Sequence, residues 1–258
     1  MQNKSGFTLA EVLITLGIIG VVAAMTIPTL MTNTTASQFK TAYKKSLSSL
    51  KQGITMNVAM DDFDLRDLAK GSTKFNTDLK KAKSFASILS KRFEGATDIT
   101  ATYFDAKNAN DGTGSMIIVG DHACTAEDVE KAAAGAEDAL ACEEEGDIIT
   151  GAAITYPINK SDFVVVQMAD GTAFGYNIKA ENCTSATQEN CVGFIDTNGV
   201  GGPNRVNVCD NEKFDSKTTC LVSNEKIADI FPVKFYNQTI EPGSVAAKSI
   251  LMGFKANK

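Results

Sequence analysis

The sequence contains no tryptophan and only one histidine, His122, among its 258 residues. It has six cysteines, but no two of them show the C-x-x-C spacing that is typical of zinc and redox sites. One histidine cannot complete several mixed cysteine and histidine metal sites, and we predict that His122 is an ordinary surface residue. Phosphate-binding loops, nucleophile elbows and dinucleotide fingerprints are also missing. We therefore predict that the chain is not an enzyme.

A basic excess is lacking as well. The chain has 25 Lys and Arg residues against 31 Asp and Glu residues, which gives a net charge of −6 at pH 7. Proteins that bind nucleic acid through their phosphates carry clustered positive charge. We expect no direct contact with nucleic acid. There is no internal repeat, and roughly 200 residues follow the N-terminal apolar segment, enough for one hydrophobic core or a core with appendages.

Charge is absent altogether from Val12 to Ile27. Apolar residues fill nearly every position there, so no face of the helix is polar, and such a segment is buried on all sides in lipid or against copies of itself. The wider segment 7–31 has 25 residues, about 37 Å as a helix at ~1.5 Å per residue, which spans a hydrocarbon core of about 30 Å. We predict a transmembrane helix over 7–31.

One acid, Glu11, lies close to the start of this apolar segment. A carboxylate is unfavourable in lipid by roughly 2.5–3.5 kcal/mol at the bilayer centre and by less near its edge, so it indicates a function and a partner. A cut between Gly6 and Phe7 would create an α-amino group four residues before Glu11. The ammonium of one helix could then pair with the carboxylate of the next.

The segment Gly-Phe-Thr-Leu-Ala-Glu, residues 6–11, resembles the processing site of type IV prepilins and type II secretion pseudopilins. The resemblance implies that prepilin peptidase cuts after Gly6 and methylates the new N-terminal Phe7. It also implies that Glu11 takes part in assembly and that Pro28 loosens the helix late in the apolar segment. The resemblance covers about the first 30 residues and implies a leader peptide over 1–6. We predict the N-terminal helix over 7–58, because an apolar helical pattern continues past the membrane segment.

Two other interpretations of the N-terminus remain open. One is a secretory signal peptide cleaved near residues 23–25, although its apolar region would be longer than the usual 7–15 residues. The other is an uncleaved signal anchor. The lysines at 40, 44 and 45 follow the apolar segment, so the distribution of positive charge does not favour an external head. The family resemblance and the cysteines instead imply a single pass through the inner membrane with the head outside, and later a periplasmic or cell-surface fibre.

The cysteines all lie in the distal half of the chain. An even number in an exported chain predicts disulfides, and six cysteines allow 15 connectivities. We favour sequential pairing, because each bond would close a short polar loop and contribute ~2–3 kcal/mol by the chain-entropy model. The three predicted pairs are Cys124 with Cys142, Cys183 with Cys191, and Cys209 with Cys220.

The apolar pattern continues past the membrane segment as one stripe on a helix: Phe39, Tyr43, Leu47, Leu50, Ile54 and Val58. Further predicted elements are helices over 77–93 and 126–140 and strands over 116–119, 163–168, 173–178, 192–195 and 231–236. Asp170-Gly171 predicts a hairpin turn, and Pro232 predicts an edge strand. The predicted fold is α+β and pilin-like: a long N-terminal helix packs on an antiparallel sheet in a head with disulfide-tied loops, residues 59–258.

A glycine-rich stretch after the strand at 192–195 offers oxygen ligands for a cation. This stretch resembles a loop found in many pseudopilin-like heads. It predicts a possible calcium site whose oxygen ligands would come from Asp196, Asn198, the carbonyl of Val200 and Asn204. The spacing is not that of an EF-hand, because residue 207 is Asn207 where a bidentate glutamate would lie. A plain Asx turn is the alternative. Asp210 and Asp215 follow closely in the sequence and could contribute to either the calcium site or the turn. We expect that the protein requires no cofactor.

These patterns favour a structural subunit of a type IV pilus-like or type II secretion fibre. The expected partners are copies of the chain, other pilins or pseudopilins, prepilin peptidase and an inner-membrane assembly platform. The main alternative is a membrane-tethered binding head, such as a minor pilin that acts as an adhesin or in DNA uptake. An anchored enzyme is a third class without a catalytic constellation to support it.

Overall fold

The computed structural model describes residues 8–72, 74–81, 83–108, 116–123, 126–135, 148–158, 161–185, 190–209, 220, 222, 224 and 227–252. Helix α1 runs without interruption from Leu9 to Asp61, 53 residues. The elements that follow are α2 (Phe75–Asp78), α3 (Phe85–Arg92), β1 (Thr97–Asp98), α4 (Thr100–Asn108), β2 (Met116–Ala123), α5 (Ala126–Ala133), β3 (Ile148–Ile158), β4 (Phe163–Gln167), β5 (Ala173–Asn177), β6 (Val192–Asp196), β7 (Ile230–Tyr236), β8 (Thr239–Pro242) and α6 (Val245–Met252). A short 3₁₀ helix, Leu65–Asp67, follows α1.

The second half of α1 packs on the sheet through the predicted stripe. Tyr43, Leu47, Leu50 and Ile54 are all buried, whereas Phe39 and Val58 at the two ends are half-buried. The Tyr43 ring stacks on Phe231 of β7 with 4.4 Å between ring centroids. The stripe prediction is confirmed, because residues three and four apart lie on one side of a helix.

The main sheet has six strands in the order β1-β4-β5-β6-β7-β8, and every neighbouring pair is antiparallel. Strands β2 and β3 form a separate antiparallel pair. The predicted hairpin is β4–β5, and its connection includes Gly171 at φ +87°, a left-handed conformation that glycine adopts readily. The α+β class with an antiparallel sheet is confirmed.

Both faces of the central strands are covered, which explains their continuous apolar runs. In β4, Val164 and Val166 join the core that contains α1, whereas Phe163 and Val165 join a second cluster on the opposite face. Helix α4 covers that second face through Tyr103 and Phe104. A strand buried on both faces has no polar alternation, so its sequence is nearly all apolar.

The predicted helix over 77–93 is wrong in one respect, because two short helices, α2 and α3, occupy this region. Ser84 separates them as the N-cap of α3: its Oγ accepts a hydrogen bond from the Ser87 N–H at 3.0 Å and donates to the Asp78 carbonyl at 2.5 Å. A serine at this position favours a helix start over a continued helix. The predicted helix over 126–140 is observed as Ala126–Ala133, and residues 136–140 lie outside the described residues.

The prediction that Pro232 marks an edge strand is wrong. Strand β7 lies between β6 and β8, and Pro232 pairs with Phe194 of β6. The backbone N and C=O of a strand residue point toward the same neighbouring strand. The Pro232 carbonyl accepts a hydrogen bond from the Gly243 N–H at 2.8 Å, so the nitrogen of Pro232 also faces the β8 side. Gly243 lies just past the end of β8 at Pro242. The missing N–H therefore falls where the β8 ladder has already ended, so proline is tolerated inside the sheet.

Two of the three predicted disulfides are confirmed in loops of the head: Cys183–Cys191 and Cys209–Cys220. Cys183 also connects two parts of the fold, because its N–H donates to the Leu65 carbonyl at 2.9 Å and its carbonyl accepts from Asn237 N at 2.8 Å. The predicted pair Cys124–Cys142 lies outside the described residues.

Candidate functional site at the start of helix α1

Helix α1 begins with a reciprocal cap between Thr8 and Glu11. The Thr8 Oγ1 accepts a hydrogen bond from the Glu11 N–H at 3.3 Å. In return, the Glu11 Oε2 accepts from the Thr8 N–H and from the Thr8 hydroxyl, both at 2.8 Å. This capping box satisfies backbone donors that the first turn of a helix leaves without partners. The carboxylate of Glu11 is thus folded back toward the N-terminal end of the helix.

The sequence analysis did not predict that Thr8 caps helix α1, although the sequence contains the pattern for such a cap. A Ser or Thr followed three residues later by Glu, directly before an apolar run, is the signature of a capping box. Thr8 and Glu11 have this spacing. The carboxylate also lies where the helix dipole favours negative charge, which gives Glu11 a local structural role besides any role in assembly.

Gly6 and Phe7 lie outside the described residues. Connectivity alone makes the nitrogen of Phe7 the next backbone nitrogen before the Thr8 N–H. A cut after Gly6 would therefore create an ammonium one residue from the group that already donates to Glu11. The arrangement brings the acid to the end of the helix at which the predicted cleavage would supply a cation.

The rest of the N-terminal half of α1 is apolar and exposed to solvent in the monomer. From Leu9 to Met31 every residue is exposed except Ala23, which is half-buried. Soluble monomers seldom expose contiguous apolar surface of this extent, so it marks an interface with lipid or protein. The helix is long and apolar enough to cross a membrane.

Two threonine hydroxyls in this half of the helix bond to the backbone of the helix itself. The hydroxyls of Thr15 and Thr26 donate to the carbonyls of Glu11 and Val22, at 2.9 and 3.0 Å. Pro28 lies inside the helix and supplies no N–H, which removes one bond of the helical ladder without ending the helix. Internal satisfaction of this kind is what a low-dielectric surrounding requires.

The second candidate site is the glycine-rich loop after β6. Asp196 is fully buried; its Oδ1 accepts from the Asn198 N–H at 3.0 Å and its Oδ2 from the Tyr103 hydroxyl at 2.8 Å. The amide nitrogen of the Asn198 side chain donates to the Gly202 carbonyl. Burial, then the neighbouring carboxylates of Asp196 and Asp229, raise the pKa of Tyr103 well above its usual value, so this phenol remains a hydrogen-bond donor.

Asp229 is a residue of this loop that the sequence did not reveal. It is fully buried just before β7, and its carboxylate accepts from the Asn204 N–H at 3.0 Å and the Arg205 N–H at 2.8 Å. Its carbonyl accepts from the Thr197 N–H at 2.9 Å. Asp229 thus ties together both ends of the loop, which only the pairing of β6 with β7 brings close to it.

The hydrogen bond from the Asn198 N–H to Asp196 is that of the Asx turn alternative, in which an Asp side chain accepts from the N–H two residues on. Val200 is exposed at the tip of the loop, and the backbone of Asn204 is held by Asp229. Within the described residues, no three His, Cys, Asp or Glu side chains are grouped as metal ligands. The turn keeps its shape through protein contacts, and calcium binding stays a prediction. The side chain of His122, and residues Asp210 and Asp215, lie outside the described part.

Comparison with known proteins identifies the N-terminal segment. No curated protein and no solved structure matches the chain. A family model, the prokaryotic N-terminal methylation motif, matches residues 1–27. This match contains Gly6, Phe7 and Glu11 and ends inside the exposed apolar part of α1. The chain therefore carries, over its first 27 residues, the N-terminal signature of type IV pilins and pseudopilins.

Proposed function

We propose that the chain is a structural subunit of a type IV pilus-like or type II secretion fibre, assembled through helix α1. The observation that carries this proposal is the exposed apolar half of α1, which begins with the Thr8–Glu11 cap and overlaps the methylation motif up to residue 27. A helix with this much apolar surface needs lipid at one stage and other helices at another. The motif belongs to structural subunits and not to enzymes.

Processing comes first. Prepilin peptidase cuts between Gly6 and Phe7 at the cytoplasmic face and methylates the new terminal amine. The membrane holds the precursor by α1, with the head outside. Two disulfides in the head agree with an oxidising compartment on that side of the membrane.

Assembly then moves the apolar half of α1 from lipid into a bundle of like helices, with the help of an inner-membrane assembly platform. Apolar packing between helices provides most of the attraction. An unpaired carboxylate in a dry bundle is unfavourable by several kcal/mol. Glu11 therefore pairs with the terminal ammonium of a neighbouring copy, and this pairing selects the axial register in which the two groups meet.

The Thr8–Glu11 cap gives the carboxylate partners before that neighbour arrives. Its hydrogen bonds from the Thr8 N–H and hydroxyl reduce the unfavourable free energy of holding Glu11 at the edge of the bilayer. The same bonds keep the carboxylate at the N-terminal end of α1, where a neighbour's ammonium can reach it. Thr8 is in this account a positioning residue for Glu11.

A substitution of Glu11 tests the proposal. Glu11→Gln keeps the size of the side chain and removes its charge, so we expect normal membrane insertion and about a tenfold lower fibre yield in sheared-fibre fractions. Thr15→Val, one helical turn further along α1, is the control and should retain the wild-type yield. Wild-type fibre yield from Glu11→Gln would contradict the pairing.

A further inference from the structure

Helix α1 and the rest of the chain have opposite charge. From Val12 to Met60 the helix contains four lysines and no acid. From Asp61 onward there are 20 basic and 30 acidic residues, so this part carries a net charge of −10. A helix of one sign on a body of the other sign attracts a second molecule of the same kind in a head-to-helix orientation.

Two of the four lysines hold α1 to its own head. Lys45 forms an ion pair with Asp170 in the β4–β5 turn, with 3.1 Å between Nζ and Oδ2. The Lys40 Nζ donates to the Asn224 Oδ1 at 2.6 Å. Both of these ammonium groups therefore have a partner within the fold.

The other two lysines point away from the head. Lys44 and Lys51 are exposed, and their side chains make no hydrogen bond or ion pair with any residue in the described part of the chain. Seven residues separate them, which is about two turns or ~10 Å along one side of the helix. Ser48 and Thr55, also exposed, lie on the same side. We call these four residues the cationic face.

We propose that the cationic face binds the head of a second copy of the chain, which has a net negative charge, an inference that rests on the proposed function. The face belongs to the same helix as the apolar segment, so a copy that packs side by side along α1 can place its head against this face. The contact joins two different surfaces, cationic helix and acidic head. Such heterologous contacts extend into open filaments when the rotation between copies does not close.

An anionic lipid surface is the competing occupant. Lys44 lies 13 residues beyond Met31, roughly 20 Å along the helix, and most lipid electrostatic attraction decays within a Debye length of about 8–10 Å. Distance from the apolar segment therefore favours the head of a second copy over lipid headgroups.

Site-specific photo-cross-linking of the full chain in its native membrane tests this inference. A photoreactive amino acid replaces Ser48, between the two lysines, and a matched control replaces exposed Thr77 in the head. We expect a covalent dimer from position 48, with the attached peptide mapping to the head of the second copy, and at least about fivefold less dimer from position 77. Adducts with lipid alone, or no dimer from position 48, would overturn the proposal.

Charge reversal provides the second measurement. Lys44→Glu with Lys51→Glu should lower the dimer yield from position 48 by about tenfold. Lys74→Glu with Lys80→Glu, an equal charge change on exposed head lysines, should leave it within about twofold. An equal loss in both double variants would overturn the role of the face. Dimer formation without fibres would refute only the proposed fibre function, and fibres without the dimer would refute only this inference.

Discussion

The two halves of helix α1 differ in where their apolar side chains find partners. In the second half, Tyr43 and Leu50 are buried against the sheet of the same chain. In the first half, Leu13 and Ile19 are 61% and 63% exposed, although they are as apolar as the buried residues. One helix therefore contributes both to the fold of the monomer and to an interface that the monomer cannot complete. Hydrophobic content alone does not distinguish these roles; the presence of a stripe does.

The largest expected effect comes from truncating a buried leucine in the second half of α1, and it tests the difference between the two halves directly. Leu50→Ala removes a buried side chain and should lower the free energy of unfolding by about 2–5 kcal/mol. Leu16→Ala is the matched change in the first half, where Leu16 is 61% exposed, and should change it by less than about 0.5 kcal/mol. Guanidinium unfolding of the full chain in detergent measures both. Equal destabilisation by the two substitutions would mean that the first half also packs within the monomer.

The loop after β6 is the next region to compare with the first half of α1. If this loop bound calcium, its stability would depend on a partner from outside the chain, as the burial of the first half of α1 does. A site filled at a hundred times its Kd would contribute about 2.7 kcal/mol to stability. The hydrogen bonds from Asn198 and Tyr103 to Asp196 hold the turn without a cation, so we expect the melting temperature of the head to be unchanged by a chelator. A drop that added calcium reverses, and that Asp196→Asn abolishes, would establish the calcium site.

A smaller effect than that of Leu50→Ala is expected for the ion pair that joins α1 to the head. Burial disfavours the charged form of Asp170, but hydrogen bonds from Thr172 and Lys45 outweigh it and hold the pKa of Asp170 below its usual value. A lowered pKa stabilises the fold above the unfolded-state pKa, near 3.9, and this stabilisation is lost as the pH falls through the folded-state value.

We therefore expect Asp170→Asn to destabilise the fold by about 0.3–1 kcal/mol at pH 7, discounted for partial exposure, and by much less at a pH below the lowered folded-state pKa of Asp170. Asp67→Asn, which breaks the more exposed pair of Asp67 with Lys83, is the control and should have a smaller effect at either pH. Urea unfolding at the two pH values measures the difference. A destabilisation by Asp170→Asn that is the same at both pH values would show that the charge is not the cause.

The sequence predicted the elements whose signals are local. The stripe from Tyr43 to Ile54 has a helical period over many residues, and strands β4, β5 and β6 are short apolar runs between turn residues. The two disulfides of the described part followed from short spacing in an exported chain. Fold class could be derived because one long amphipathic helix and adjacent hairpins leave few ways to bury their apolar faces.

The features that were missed depend on tertiary neighbours. Strand β1 has only two residues, Thr97 and Asp98, and forms because β4 offers an edge at that point. Pro232 is tolerated inside the sheet only because β8 ends beside it. Asp229 acts on a loop that is 24 and 25 residues away in sequence. At the start of α1, by contrast, Thr8 and Glu11 are three residues apart, and the capping-box pattern could have predicted their contact.

Intact mass spectrometry of the native protein, taken from cells that form fibres, tests the central claim most directly. If the apolar half of α1 functions by pairing Glu11 with a new terminal amine, the working polypeptide begins at Phe7 and carries one methyl group on that nitrogen. A working fibre protein that still contains residues 1–6 would have no such amine next to Phe7, and that result would contradict the account.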